Sequence, residues 1–190
     1  MADRVAHEIK NPLNGLALNL EVVRSRSARP GVDGLALSPY ASAAASELEQ
    51  TIPLVEALLS LARPSAFPVD LRTALRPLAT LYDAIAQAAG GSLRISSDSE
   101  QMFVAGDGTT VRVLLAELLD ASVGEKRSIT GTVVRRGEYV ALSLDTPIAR
   151  PIGRDVQRLG DACGMQLTHE HDETLLMFPA LAHSGVDSRS

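Results

Sequence analysis

A histidine and a glutamate stand side by side near the start of the sequence, at His7 and Glu8, and an amide follows at Asn11. A carboxylate beside a histidine can hold one ring N–H, which leaves the other ring nitrogen to act as a nucleophile. On a helix, an amide four residues later lies one turn away, within reach of a group carried on that nitrogen. These residue types at this spacing indicate a nucleophilic histidine. The alternative is a surface histidine without a chemical role.

Apolar residues around His7 predict the helix that must carry it. They recur at steps of three and four residues, which is typical of a bundle-forming amphipathic helix: Val5, Ile9, Leu13, Leu16, Leu20 and Val23. At about 100° per residue, His7 falls opposite this stripe. The residues near it on that side are Lys10, Asn11, Asn14 and Leu18. His7 is therefore expected to face solvent while its helix packs behind it, and Pro12 is expected to kink that helix.

The segment HEIKNPL, from His7 to Leu13, resembles the H box of bacterial sensor histidine kinases, in the class whose dimerisation helices carry the phosphoaccepting histidine. The resemblance implies that His7 is phosphorylated and that Glu8 is its acid/base partner. It also implies that Asn11 positions a hydrolytic water or the partner, which is the receiver domain of a response regulator.

Leu18 is an apolar residue on the otherwise polar side of this helix. We expect it to contribute to receiver docking, with polar neighbours such as Lys10 and Asn14 forming the rim of the contact.

Composition excludes several other classes of protein. The net charge is -5 at pH 7, and no basic patch interleaved with aromatic residues is present, so a nucleic-acid binder is not expected. No apolar run reaches the roughly 18 residues of a membrane helix, and the N-terminus lacks a signal-peptide core. The single cysteine excludes an internal disulfide and fits a reducing cytoplasm.

Two helices are predicted in the first third of the chain, over 2–28 and 39–62. The second carries one apolar row at Leu48, Ile52, Val55, Leu59 and Ala62, and another at Leu54, Leu58 and Leu61. One hairpin cannot bury both rows, so two copies are predicted to pair as a homodimeric four-helix bundle. The alternative is a monomer whose second row packs on the rest of the chain.

The whole chain is predicted to be α+β, with a phosphoacceptor hairpin over 1–64, a linker over 65–68, an α/β sandwich over 69–180 and a disordered tail over 181–190. Its predicted helices span 69–89, 107–123 and 153–163. Its predicted strands span 92–97, 101–105, 128–135, 138–145, 165–170 and 174–179. Helices should cover one face of the sheet.

This order of elements resembles the ATP-binding domain of histidine kinases, with departures at the nucleotide site. The family's N box has two asparagines, the second of which ligates Mg²⁺, where this chain has Glu117 and Ala121. A methyl group cannot coordinate a metal. Asp145 matches the aspartate that binds adenine, but Pro147 replaces the family's glycine. Only residues 148–152 stand where the family has a long lid and a glycine-rich segment. ATP is therefore not expected to bind, and Asp145 is a vestigial adenine-site candidate.

Two further motifs are interpreted as structural. His169 and His171 would share one strand face beside Asp172 and Glu173, but a metal site needs three or four convergent ligands. A solvated strand end is the preferred interpretation, and no metal site is predicted. The Gly106–Gly108 segment is interpreted as a turn and helix cap.

These observations predict a homodimeric, cytoplasmic histidine phosphotransferase that passes a phosphoryl group between His7 and a receiver aspartate. The receiver would supply Mg²⁺, and the chain itself would bind no cofactor. One alternative is an ATP-dependent sensor histidine kinase core or fragment. A second alternative is a non-catalytic pseudokinase that serves only as an interaction module.

Overall fold

Two long helices begin the chain in the computed structural model, which describes residues 2–31, 33–62, 67–97, 101–124, 127–170 and 172–181. Helix α1 spans Ala2–Ser27 and helix α2 spans Ser38–Ala62, with a single 3-10 turn at Gly34–Ala36 between them. The ends of both helices agree with the sequence prediction to within one residue. Apolar residues that recur every 3.6 positions over a long segment are the strongest sequence signal for a helix.

The two helices pack antiparallel as a hairpin. A Cβ added at Gly15, midway along α1, would lie 2.9 Å from the Oε1 atom of Glu47, so the Glu47 side chain of α2 extends onto α1 at this point. Near the loop, the guanidinium of Arg26 lies 4.7 Å from the ring centre of Tyr40, an arrangement that favours a cation–π contact.

A sheet with helices follows the hairpin and is called the sheet region below. Its helices are α3 (Leu71–Ala88), α4 (Gly108–Ser122) and α5 (Arg154–Ala162). Its strands are β1 (Val69–Asp70), β2 (Ser92–Ser97), β3 (Phe103–Val104), β4 (Ser128–Arg136), β5 (Tyr139–Leu144), β6 (Gln166–Glu170) and β7 (Glu173–Pro179). Five strands form one sheet in the order β2-β4-β5-β7-β6, in which only β2 and β4 are parallel neighbours. The predicted α+β class is confirmed.

The start of α3 departs from the prediction. Residues 69 and 70 were predicted as helix, but they form strand β1, which pairs antiparallel with β3. Asp70 then caps α3, since its carboxylate accepts from the backbone N–H of Arg72 at 3.2 Å and from the Thr73 hydroxyl at 2.8 Å. An aspartate at this position satisfies donors that the first helical turn leaves without partners.

The core lies between the sheet and α3 and α4. Strand burial alternates, so that Ile129 and Val133 are buried on the inner face of β4 while Thr130 is exposed on the other face. The inner face is covered by fully buried side chains of the helices: Leu71, Leu75, Leu78, Leu81, Leu114, Leu115, Leu118 and Leu119. Helices cover one face of the sheet, as predicted.

The hairpin joins the same core. Val5 of α1 is 2% exposed, and Leu54 and Ala57 of α2 are 6% and 0% exposed. These residues belong to one apolar cluster with α3 and α4, and α2 contacts both of those helices. The predicted linker falls partly on residues 63–66, and the predicted tail almost wholly on residues 182–190, which lie outside the described residues.

Candidate functional site

The candidate site lies on the open side of α1. His7 and Asn11 are exposed one turn apart, and Lys10 and Asn14 are exposed beside them. Leu18 continues this side and is 67% exposed. The predicted orientation is confirmed, because Val5, on the opposite side of the helix from His7, is buried against the sheet region.

Glu8 lies at the edge of a groove rather than on the open side. It is half-buried, and it lines a cavity of about 590 Å³ between α1, α2 and α3. Asn11 and Pro12 of α1 line the same cavity, as does Glu47 of α2. Within the described part of the chain, no hydrogen bond joins His7 to Glu8. The acid/base role of Glu8 stays a prediction.

The hairpin keeps an apolar face that one chain does not cover. On α2, Leu48, Ile52 and Leu59 are 46%, 49% and 51% exposed, while on α1 Leu13 and Leu20 are 42% and 52% exposed. The second apolar row of α2 behaves differently, since Leu54 is buried and Leu61 packs on the core, although Leu58 is 41% exposed. The sheet region therefore covers much of the second row and leaves the first row open.

The vestigial adenine candidate is held by the sheet. The carboxylate of Asp145 accepts a hydrogen bond of 2.6 Å from the backbone N–H of Thr130 on β4, and the Asp145 N–H returns one to the Thr130 carbonyl. The Asp145 side chain is otherwise exposed. These two hydrogen bonds give Asp145 a structural role, as the residue that follows β5 and binds β4.

The end of α4 is covered by the segment after Pro147, which stands where the resemblance expects a lid. Ala121 is 5% exposed, and its carbonyl accepts from the N–H groups of Ala149 and Arg150, at 2.7 Å and 3.1 Å. The segment after Pro147 thus lies directly on the last turn of α4. Backbone carbonyls at a helix end need such partners when they are buried.

Sequence reasoning missed the charged cluster formed at this point. Asp120, on the last turn of α4, is held by Arg150 at 3.1 Å and by Arg4 of α1 at 3.4 Å. Arg4 is separated from Asp120 by 116 positions, so nothing in the local sequence links them. The available signal was the acidic residue itself, because a carboxylate inside the apolar run LLDA is unusual unless it is paired.

Tyr82 of α3 lies close to this cluster. Its ring is fully buried, and its hydroxyl has no hydrogen-bond partner among the described residues. Burial raises the pKa of Tyr82 well above its usual range, and the nearby charges of Asp120 and Glu117 raise it further. The hydroxyl therefore stays protonated.

The motifs interpreted as structural have structural partners. Asp107 caps α4, accepting from the Thr110 N–H at 2.8 Å, and this bond lowers the pKa of the carboxyl. The Nδ1 atom of His169 lies 3.1 Å from the Thr174 hydroxyl, while His171 lies outside the described residues. Among the residues that the structure describes, no cluster of three or more metal-ligating side chains occurs. None of the described helices is both long enough and apolar enough to cross a bilayer.

One family model matches the part of the chain that forms the hairpin. The family model of the His Kinase A (phospho-acceptor) domain matches residues 1–67. A search of curated proteins gives no match.

Solved structures that are similar to this chain are histidine kinases. The histidine kinase AdeS of Acinetobacter baumannii is 12% identical, with 93% of this chain and 98% of that chain covered and a TM-score of 0.46. The cytoplasmic segment of histidine kinase QseC is 20% identical, with 72% and 95% covered and a TM-score of 0.47. Histidine kinase ThkA in complex with response regulator protein TrrA is 17% identical, with 96% and 61% covered and a TM-score of 0.46.

Proposed function

We propose that this chain, whose residues 1–67 match the family model of the His Kinase A (phospho-acceptor) domain, is a histidine phosphotransferase of two-component signalling. It would exchange a phosphoryl group between His7 and the aspartate of a response-regulator receiver domain, without binding ATP. The observation that carries the proposal is the contrast between an exposed His7 and a covered end of α4.

The transfer needs one nucleophile and correct alignment. The unprotonated ring nitrogen of His7 attacks the phosphorus of an aspartyl phosphate, so that a P–N bond forms while the P–O bond to the aspartate breaks. The aspartate carboxylate leaves, and the reverse reaction returns the phosphoryl group. The other ring nitrogen keeps its proton, and a hydrogen bond to Glu8 would stabilise the positive charge on the ring. The receiver supplies Mg²⁺, so this chain contributes mainly position.

The residues at the end of α4 do not fit a Mg²⁺-bound triphosphate. Ala121 offers a methyl group where the resemblance aligns a metal-ligating asparagine, and oxygen atoms are the ligands that Mg²⁺ requires. One carboxylate oxygen of Asp145 is occupied by the Thr130 N–H. The N–H groups of Ala149 and Arg150, which a phosphate-binding loop would direct at its ligand, are donated to the Ala121 carbonyl.

We propose that the open apolar face of the hairpin makes the protein a homodimer. Leu48, Ile52, Val55 and Leu59 lie at steps of four, three and four on one side of α2, and each is at least one-third exposed. An exposed apolar row of this length marks an interaction surface. A second copy of the same hairpin would cover it and complete a four-helix bundle.

Transfer from a receiver tests the proposed function. A receiver domain carrying aspartyl phosphate is mixed with the protein, and phosphohistidine is mapped by mass spectrometry under alkaline conditions. We expect phosphate on His7, its loss in His7→Gln, and no change in His169→Gln, which removes another exposed histidine. If phosphate reaches His169 or an acidic residue and not His7, the proposed mechanism is wrong. If His7 stays unphosphorylated with every receiver tested and with ATP, the interaction module replaces it.

A further inference from the structure

One carboxylate joins the hairpin to the sheet region. The Asp120 side chain is 10% exposed, and each of its oxygens faces a different arginine. Its Oδ1 atom lies 3.4 Å from Nη1 of Arg4 on α1, and its Oδ2 atom lies 3.1 Å from Nη2 of Arg150. Arg150 also donates to the backbone carbonyl of Asp120. A buried carboxylate requires such charged partners, because burial without them is costly.

The two arginines come from functionally different parts of the chain. Arg4 lies three residues before His7 and therefore about one turn away along α1. Arg150 belongs to the short segment that lies on the end of α4, where its N–H and that of Ala149 bind the Ala121 carbonyl. The three side chains connect the first turn of the phosphoacceptor helix to the region that lacks nucleotide ligands.

We propose that Arg4, Asp120 and Arg150 form an ion-pair clamp, called the Asp120 clamp, that fixes the sheet region in one orientation against the start of α1. The clamp then holds the first turn of α1, one turn before His7, and so keeps His7 in a fixed position for a docking receiver. Asp120 is a positioning residue in this account. The orientation stands on the contacts alone, and only its kinetic consequence rests on the proposed function.

Distances between paired spin labels test the orientation. The single native cysteine is first removed by Cys163→Ser. Labels are then attached to cysteines that replace Leu35, at the hairpin tip, and Glu138, in the β4–β5 turn. Labelled protein is diluted into excess unlabelled protein, so that distances between copies do not contribute. We expect one narrow distance distribution, which broadens in Arg4→Gln and in Arg150→Gln.

Two variants control this comparison. Arg24 also lies on α1, but its ion-pair partner is Glu21 of the same helix. Arg24→Gln should therefore leave the distance distribution narrow. Arg4→Lys keeps the positive charge and should restore much of the narrow distribution. A distribution in Arg4→Gln and Arg150→Gln that matches Arg24→Gln would overturn the clamp. The two arginine variants are independent, so poor folding of one leaves the other decisive.

Transfer kinetics test the consequence. In Arg4→Gln we expect the KM for phosphorylated receiver to rise about fivefold with little change in kcat. Phosphorylation of His7 by phosphoramidate, which needs no docking, should keep its wild-type rate. An unchanged KM beside a broadened distance distribution would overturn the role in docking. If wild-type His7 accepts phosphate from no receiver, the proposed function fails, while the spin-label distances still decide the clamp.

Discussion

The open side of α1 and the last turn of α4 differ in what their chemistry requires. On α1, His7 and Asn11 need only a helix that packs on its opposite side, and both are exposed. At α4, nucleotide chemistry would require ligands from several separate segments at once. Here Ala121 lacks a ligand atom, and the following segment binds the helix end directly. Under the proposed function, a site carried by one helix persists in a chain whose multi-segment site has been replaced by structural contacts.

The largest effect should come from His7. His7→Gln is expected to abolish phosphotransfer, since a carboxamide is not a nucleophile of comparable strength. Because the side chain is exposed, the free energy of unfolding should change by no more than about 0.5 kcal/mol. Urea unfolding and a transfer assay on the same preparation check both parts. Residual transfer at a substantial rate would place the phosphoacceptor at another residue, and the open side of α1 would then have no more chemistry than the last turn of α4.

The next effect concerns the apolar face of α2. Ile52→Glu puts a charge in the middle of the row and should convert the dimer into a monomer at micromolar concentration, because an unpaired charge in an apolar interface is costly. Leu35→Glu makes the same kind of change at a residue that is 79% exposed in the loop, and it should leave the dimer intact. Light scattering measures the mass of both variants. A wild-type monomer would refute the dimer proposal outright.

Restoring a ligand at α4 should not restore nucleotide binding. Ala121→Asn introduces the side chain that the resemblance expects, but the site is 5% exposed and its backbone is bonded to residues 149 and 150. Overpacking should lower the free energy of unfolding by about 1–3 kcal/mol. Isothermal titration with Mg²⁺–ATP should detect no binding. Binding by this variant alone would show that one residue, and not the whole arrangement, separates the chain from a nucleotide-binding domain.

A smaller effect is expected at the rim of the candidate docking side. Leu18→Glu should reduce kcat/KM for receiver by about tenfold, the equivalent of about 1.4 kcal/mol, by adding a charge to an apolar contact. Phosphoramidate labelling of His7 should be unaffected. Ala17→Glu, which adds the same charge at the neighbouring exposed position, tests whether the effect depends on the Leu18 side of the helix. Normal transfer by Leu18→Glu would exclude Leu18 from docking.

Features that repeat within one element could be predicted from the sequence, whereas contacts between residues far apart in the sequence could not. The long apolar stripes predicted α1 and α2, and β4, predicted over 128–135, spans Ser128–Arg136. Strand β1 was missed because it has two residues and pairs with Phe103–Val104, more than 30 positions away. The Asp120 clamp was missed for the same reason, as Arg4 is brought to it only by the docking of the hairpin.

Within the candidate site, the helical wheel predicted that His7, Asn11 and Leu18 are exposed. It could not predict the groove that holds Glu8. That cavity exists because α3 packs beside the hairpin. The apolar period of one helix predicts which of its faces is buried. A cavity also depends on where a neighbouring helix packs, and the sequence of the first helix carries no information about that position.

The central claim is that His7 receives phosphate from a receiver and not from ATP. The most direct measurement offers labelled ATP with Mg²⁺ in one sample and a labelled phosphorylated receiver in another, and it counts phosphohistidine on His7 in each, with His7→Gln as the control. Our account predicts label from the receiver sample alone. Label from ATP would contradict it, and would mean that the arrangement around Ala121 and Pro147 still binds a nucleotide and that the chain is a kinase core.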